Sequence, residues 1–147
     1  ATQSNFTALS LSLDNWETVS TAGAAITDDR GDKAGVRFDT ILVPRALRRT
    51  AIQMFGARAL YEPGSAEFNT NPYAGEVEVI VWDRLTDTNA WFAIDSTLMR
   101  QFLIWQDRIP LEFDREGDFD GIGQKYRGYN RYGRGWSHWA WIHGCNP

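Results

Sequence analysis

The last third of the chain, Ile109 to Gly144, sets the strongest constraint on the fold. It reads IPLEFDREGDFDGIGQKYRGYNRYGRGWSHWAWIHG, a series of strand-like runs rich in Tyr, Trp and Arg, punctuated by glycine. Three of the seven tryptophans, Trp136, Trp139 and Trp141, fall within six residues. Large aromatic side chains bury much area and carry a polar handle, so a segment this dense in them builds a wall or an interface. No recognisable catalytic constellation interrupts it.

A chain of 147 residues is one ordinary domain and can bury a real core. Hydrophobic residues at 43% and charged residues at 23% describe a folded chain and exclude a disordered one. The net charge of -4 argues against a dedicated nucleic-acid binder. Cys145 is the single cysteine, so no internal disulfide can form and a reducing compartment fits. No apolar run reaches the roughly 18 residues of a membrane span. Because the first residue is Ala1, the chain reads as a processed product, a fragment or a trimmed piece.

Residues 1 to 11 are small and polar and read as a loose lead-in. From Ser12 the spacing of Trp16, Val19, Ala22 and Ile26 predicts an amphipathic helix, with Ser12 as N-cap and Asp14 and Glu17 near its first turn. Gly23 weakens that helix. Thr27 to Gly35 reads as a turn-rich exit. Thr40 to Val43 predicts a short strand stopped by Pro44, followed by a helix in which Leu47, Ala51 and Met54 face inward and Gly56 terminates. Ala57 to Gly75 reads as a long exposed loop of the kind that carries interactions. Glu76 to Trp82 alternates as a strand with one wet face, Asp83 to Ala90 is a turn, and Trp91 to Asp95 is a second strand antiparallel to it. Ser96 to Trp105 fits helix and strand equally. LEF, GQKYRGYNRYG and WSHWAWI then predict three more strands.

Candidate chemistry gives way to simpler readings. The acidic run Glu112, Asp114, Glu116, Asp118, Asp120 has Phe119 and Lys125 where a calcium loop needs Gly and Glu, so a solvated strand and turn is the better account. His138, His143 and Cys145 lack a fourth ligand and zinc-like spacing, so no metal or other cofactor is expected. A cysteine at a frayed terminus has no oriented base and makes a poor nucleophile. Lys125, Arg127, Arg131 and Arg134 interleaved with Tyr126, Tyr129 and Tyr132 follow the grammar of single-strand nucleic-acid binding. The acidic net charge favours instead a strand whose arginines pair with the upstream acids or with a neighbouring subunit. The chain is not expected to be an enzyme.

The order of elements is itself informative: amphipathic helix, FDTILVPRAL, second helix, polar loop, EVEVIVW, DTNAWFAID, LEFDRE, and an Arg/Tyr strand ending in WSHWAWIHG. This order, from about Asn5 to Gly144, resembles the carboxy-terminal part of bacteriophage major capsid proteins of the HK97-type fold, closest to the Mu-like major head protein group. The resemblance implies an α+β fold. Residues 1–108 would form an axial-domain region of mixed sheet and helices, and 109–147 the closing antiparallel strands of a peripheral domain. The amino-terminal arm, extended loop and spine helix of such proteins have no counterpart here, so the chain reads as a fragment. No residue can be matched to the Lys–Asn crosslink of some members.

The implied function is structural: self-assembly into an icosahedral virion shell enclosing double-stranded DNA, formed in the bacterial cytoplasm. Its partners would be copies of the chain in pentamers and hexamers, other capsid or scaffold proteins, and packaged DNA through non-specific contacts, with no membrane. On that reading Tyr61, Glu62, Phe68 and Tyr73 in the long loop and Arg84 and Asp87 in the Asp83–Asn89 tip project toward neighbours. Arg127, Arg131, Arg134, Trp136 and Trp139 would support closing-strand contacts. The alternative is a binding module that presents the Arg/Tyr/Trp surface to single-stranded nucleic acid or carbohydrate.

Overall fold

A computed structural model describes residues 3–56, 59–60, 69–71, 73–117, 121 and 123–147. In chain order its elements are β1 (Phe6–Thr7), α1 (Leu13–Ala24), β2 (Thr40–Val43), a 3₁₀ turn (Arg45–Leu47) leading into α2 (Arg48–Ala51), and a π-type turn (Ile52–Gly56). There follow β3 (Ala59–Leu60), β4 (Asn69–Thr70), β5 (Glu78–Val81), β6 (Trp91–Ile94), α3 (Ser96–Phe102), β7 (Leu103–Gly117), β8 (Gln124–Trp136) and β9 (Ile142–Cys145). The result is a mixed α+β chain with a mixed five-stranded sheet, ordered β1-β9-β6-β2-β5, and a long antiparallel hairpin, β7-β8.

The first helix begins where a cap is available. Ser12 is extended, and its hydroxyl accepts from the Asn15 backbone N–H at 3.2 Å. Its inward face is Trp16, Val19 and Gly23, with Ile26 continuing the stripe past the helix end, whereas Ala22 faces solvent. Gly23 is therefore no weakness. A Cβ there would sit 2.4 Å from the Phe38 ring, so only hydrogen lets helix and ring meet at this distance.

Pro44 ends β2 as the sequence predicts, but the expected regular helix is three short turns of different pitch. The widened last turn buries the adjacent residues Met54 and Phe55 together, which an α-helical stripe does not readily do. Trp16 meets the Phe55 ring edge-on at 5.0 Å and lies 6.2 Å from Trp91. Trp91 is fully buried, and its indole N–H donates to the Leu9 carbonyl at 3.0 Å.

That bond ties down the amino terminus, which is not the loose lead-in expected of it. Phe6–Thr7 pairs in parallel with Gly144–Cys145, and Leu9 and Leu11 pack on the core. The strand Glu78–Val81 pairs in parallel with β2. The strand at Trp91–Ile94 runs opposite to it but pairs with β2 and β9, so β2 lies between the two strands expected to be neighbours.

The ambiguous Ser96–Trp105 segment is helix and then strand. Asp95 caps α3 by accepting from Thr97 and Leu98 N–H at 3.0 and 2.9 Å, and the chain becomes extended at Leu103. WSHWAWI is not a strand. Trp136 ends β8, a turn follows, and Ile142–Cys145 enters the sheet between β1 and β6. The turn is set by packing, because Trp139 lies on the core and Ala140 is buried within it.

Candidate association surface on the hairpin

The hairpin leaves the body and returns at nearly one point. The Ser137 N–H donates to the Phe102 carbonyl at 3.0 Å, so residues 103–136 hang from a closed neck. Except for Ile109 and Gly135, every described hairpin residue is exposed. Strands of this length extend roughly 45 Å at about 3.3 Å per residue, longer than a compact body of about a hundred residues is wide.

Residues opposite one another in an antiparallel pair share a face, and neighbours along a strand alternate. The register pairs Leu103 with Trp136, Trp105 with Arg134, Asp107 with Tyr132, Phe113 with Gly128 and Arg115 with Tyr126. One face therefore carries Trp105, Phe113, Tyr126, Tyr132 and Trp136, which are between 52% and 80% exposed. Trp105 stacks on Tyr132 at 4.7 Å and donates to the Asp107 carboxylate at 2.8 Å. Phe113 covers Gly128, where a Cβ would come within 3.3 Å of its ring.

The other face pairs Ile109 with Arg131, Glu112 with Tyr129, Asp114 with Arg127 and Glu116 with Lys125. The register shifts that lie between Asp107 and Glu112 keep both faces consistent across the irregular stretch around Pro110. Arg127 donates to Asp114 at 3.2 Å, the pairing with upstream acids anticipated for these arginines. An exposed pair of this kind fixes register more than it stabilises, at up to about 1 kcal/mol. A groove of about 540 Å³ lined by Glu112, Phe113, Asp114, Arg127 and Tyr129 opens beside this pair.

Of the residues expected to meet neighbours, Arg127, Arg131, Arg134 and Trp136 lie on the hairpin and are exposed. Arg84 and Asp87 are also exposed, in the turn after β5. Both Asp87 oxygens are already engaged, by Asn89 N–H at 2.9 Å and the Asn146 amide at 3.0 Å. The Asn89 bond does most to hold its carboxyl below the ordinary carboxylate range. Tyr73 and Trp139 are half-buried against the core. Tyr61, Glu62 and Phe68 lie outside the described residues. Local pattern does not mark Trp105, Phe113 and Ile104 as surface residues, because the run leading back from Phe113 is apolar and fits helix and strand equally.

The polar groups of the body are structural. Asp39 accepts from the Ser96 hydroxyl and backbone N–H and from the Thr40 hydroxyl. Burial pushes its pKa up, but these hydrogen bonds outweigh it and leave the carboxyl below the usual range. Asp95 spends its second oxygen on the Arg37 N–H at 2.8 Å. Cys145, expected at a frayed end, is buried on β9. Burial raises its thiol pKa, with the Thr7 hydroxyl a smaller opposing influence. His143 is buried beside it. The Thr7 hydroxyl lies 3.1 Å from its Nε2 and 3.2 Å from the Cys145 sulfur, so the three side chains pin β1 to β9. Among the described residues no group of three or more His, Cys, Asp or Glu is placed to hold a metal ion, and no helix is long and apolar enough to cross a membrane.

A sequence model of the phage capsid protein family matches residues 1–143. The chain belongs to that family, whose members are structural, non-enzymatic proteins of the virion that assemble with other capsid subunits. The mixed α+β architecture is compatible with a capsid fold. No curated protein and no solved structure matches the chain.

Proposed function

We propose that the chain is part of a major head protein of the HK97-type fold, in the Mu-like group, and that it self-associates into an icosahedral shell around double-stranded DNA. Pentamers and hexamers would arise from head-to-tail contacts that close into rings. Scaffold or other capsid proteins would guide assembly in the bacterial cytoplasm, and packaged DNA would be met through non-specific contacts. Residues 1–108 would act as the axial region and 109–147 as the closing region, with the last strand returning into the axial sheet. Tyr61, Glu62, Phe68, Tyr73, Arg84 and Asp87 would face neighbours from the loops, and Arg127, Arg131, Arg134, Trp136 and Trp139 from the closing region.

The observation that supports this reading most is the hairpin within residues 103–136, whose described side chains find almost no cover in their own molecule. A subunit that works by multivalent contact needs such a surface, and a self-contained enzyme does not. The single-strand-binding alternative has no comparable support, because Trp105 and Tyr132 stack on each other and Arg127 is held by Asp114. Electron microscopy of the purified chain tests the proposal. Rings or shells are expected, and a monodisperse monomer at high concentration would count against it.

A further inference from the structure

We propose that the aromatic face of the hairpin docks on a second copy of this chain, over the outer side of β5 at Ile80 and Trp82. This rests on the self-association reading and names the two surfaces that meet. Three observations carry it.

The first is area. Trp105, Phe113, Tyr126, Tyr132 and Trp136 present one continuous face. At roughly 150–250 Å² for a fully exposed aromatic side chain, that face amounts to about 500–850 Å². It reaches or exceeds the largest apolar patch typical of a monomer, about 300–600 Å², and approaches the ~800 Å² that each partner contributes to a specific interface.

The second is the state of β5. It is an edge strand, paired only with β2 among the described strands. Its outward residues, Glu78, Ile80 and the following Trp82, are exposed, with Ile80 at 42% and Trp82 at 48%. Acidic residues border that apolar pair, at Glu76, Glu78 and Asp83. The hairpin's aromatic face also carries Arg134, opposite Trp105, and Arg115, opposite Tyr126; its one acid in the described register, Asp107, is held by the Trp105 indole. Apolar centres with rims of opposite charge are complementary, and opposite rims set register and orientation. Arg45 already engages Asp83 at 3.6 Å, and Arg84 follows it, so Glu76 and Glu78 are the carboxylates one hairpin arginine would meet. Arg115 and Arg134 stand roughly 26 Å apart along the hairpin and would not share them.

The third is polarity of placement. The hairpin is attached, through α3, at the end of the sheet where Thr40 pairs with Ile94. Trp82 lies at the other end, beyond the Val43–Val81 pair. β5 runs from Glu78, beside Thr40 at the hairpin end, to Trp82 at the far end, so the hairpin face and the outer side of β5 are two different surfaces of one body. A contact between them is heterologous, the type that propagates head to tail and closes into rings.

Cysteine crosslinking between two populations of this chain, residues 1–147, tests this. One population carries Tyr126→Cys, the other Trp82→Cys, with Ile80→Cys as a second choice at the same surface. Cys145 is buried and stays silent. After mixing, mild oxidation should give a mixed disulfide at about twice the 16.7 kDa chain mass, in excess over either self-pairing. A predominance of Tyr126→Cys self-pairs, meaning hairpin on hairpin, would overturn the inference. So would association on light scattering with no mixed disulfide from either β5 variant, and that outcome leaves self-association standing. A chain that stays monomeric throughout removes both readings together.

Discussion

Excising residues 103–136 and joining Phe102 to Ser137 through a short Asn-Gly turn should leave the body folded. The junction is already in place, because the Ser137 N–H and the Phe102 carbonyl are bonded at 3.0 Å. The described side chains among them are almost all exposed, so little buried apolar area leaves with them. What changes is the unfolded chain. Cutting the connection from 34 residues to two is about four halvings of length, each worth about 0.6 kcal/mol in closure entropy, or ~2.5 kcal/mol in favour of the folded body. The 0.5–1 kcal/mol of one exposed ion pair, Arg127–Asp114, is lost in return. Urea denaturation followed by tryptophan fluorescence should show a midpoint equal to or above that of the parent chain. Fluorescence from buried Trp16 and Trp91 would report the body. An unfolding free energy lowered by several kcal/mol, or loss of the cooperative transition, would refute the claim that the hairpin is an appendage to a self-sufficient core.

Gly23→Ala should destabilise, against the usual gain of about 1 kcal/mol for this change within a helix. The new methyl would lie 2.4 Å from the buried Phe38 ring, and overpacking of this kind costs about 1–3 kcal/mol, for a net loss of about 1 kcal/mol. The loss should vanish in a Phe38→Leu background, and a raised midpoint in the parent background would contradict the packing. Stability should also fall in mild acid. Burial depresses the pKa of His143 below its ordinary 6.5, so the native state holds it neutral and the unfolded chain binds the extra proton. The contribution is complete above about pH 6.5 and shrinks as pH drops below it, whereas Asp39, depressed from 3.8, acts only in stronger acid. A midpoint independent of pH between 5 and 7.5 would exclude His143 as a buried neutral group. Arg131→Glu should impair assembly more than folding, because Arg131 is exposed on the hairpin. Unchanged shells would remove it from the contact.

What the sequence disclosed was what local chemistry decides. Ser12 as a cap, Pro44 as a strand stop and the alternation through Glu78–Val81 each act within a few residues and were readable. What escaped depends on distant partners. Phe6–Thr7 is a strand only because Gly144–Cys145 lies beside it, and two residues carry no period to read. The parallel pairing of β5 with β2 and the burial of Cys145 follow from topology, which local pattern does not encode. Gly23 looked like a helix defect because its reason, the Phe38 ring, sits fifteen residues away in sequence. The strand character of the aromatic, Arg-rich segment is legible in its alternation, but the first of its strands begins at Leu103, inside a run whose pattern serves helix and strand alike. Trp136, Trp139 and Trp141 looked like one strand, whereas the first ends the hairpin and the other two belong to a turn against the body.

If this capsid-family chain works by associating with its own copies, sedimentation velocity across a hundredfold range of concentration should show it. Mass should shift from the 16.7 kDa monomer into ring-sized or larger species as concentration rises. A single monomeric boundary at every concentration would contradict it.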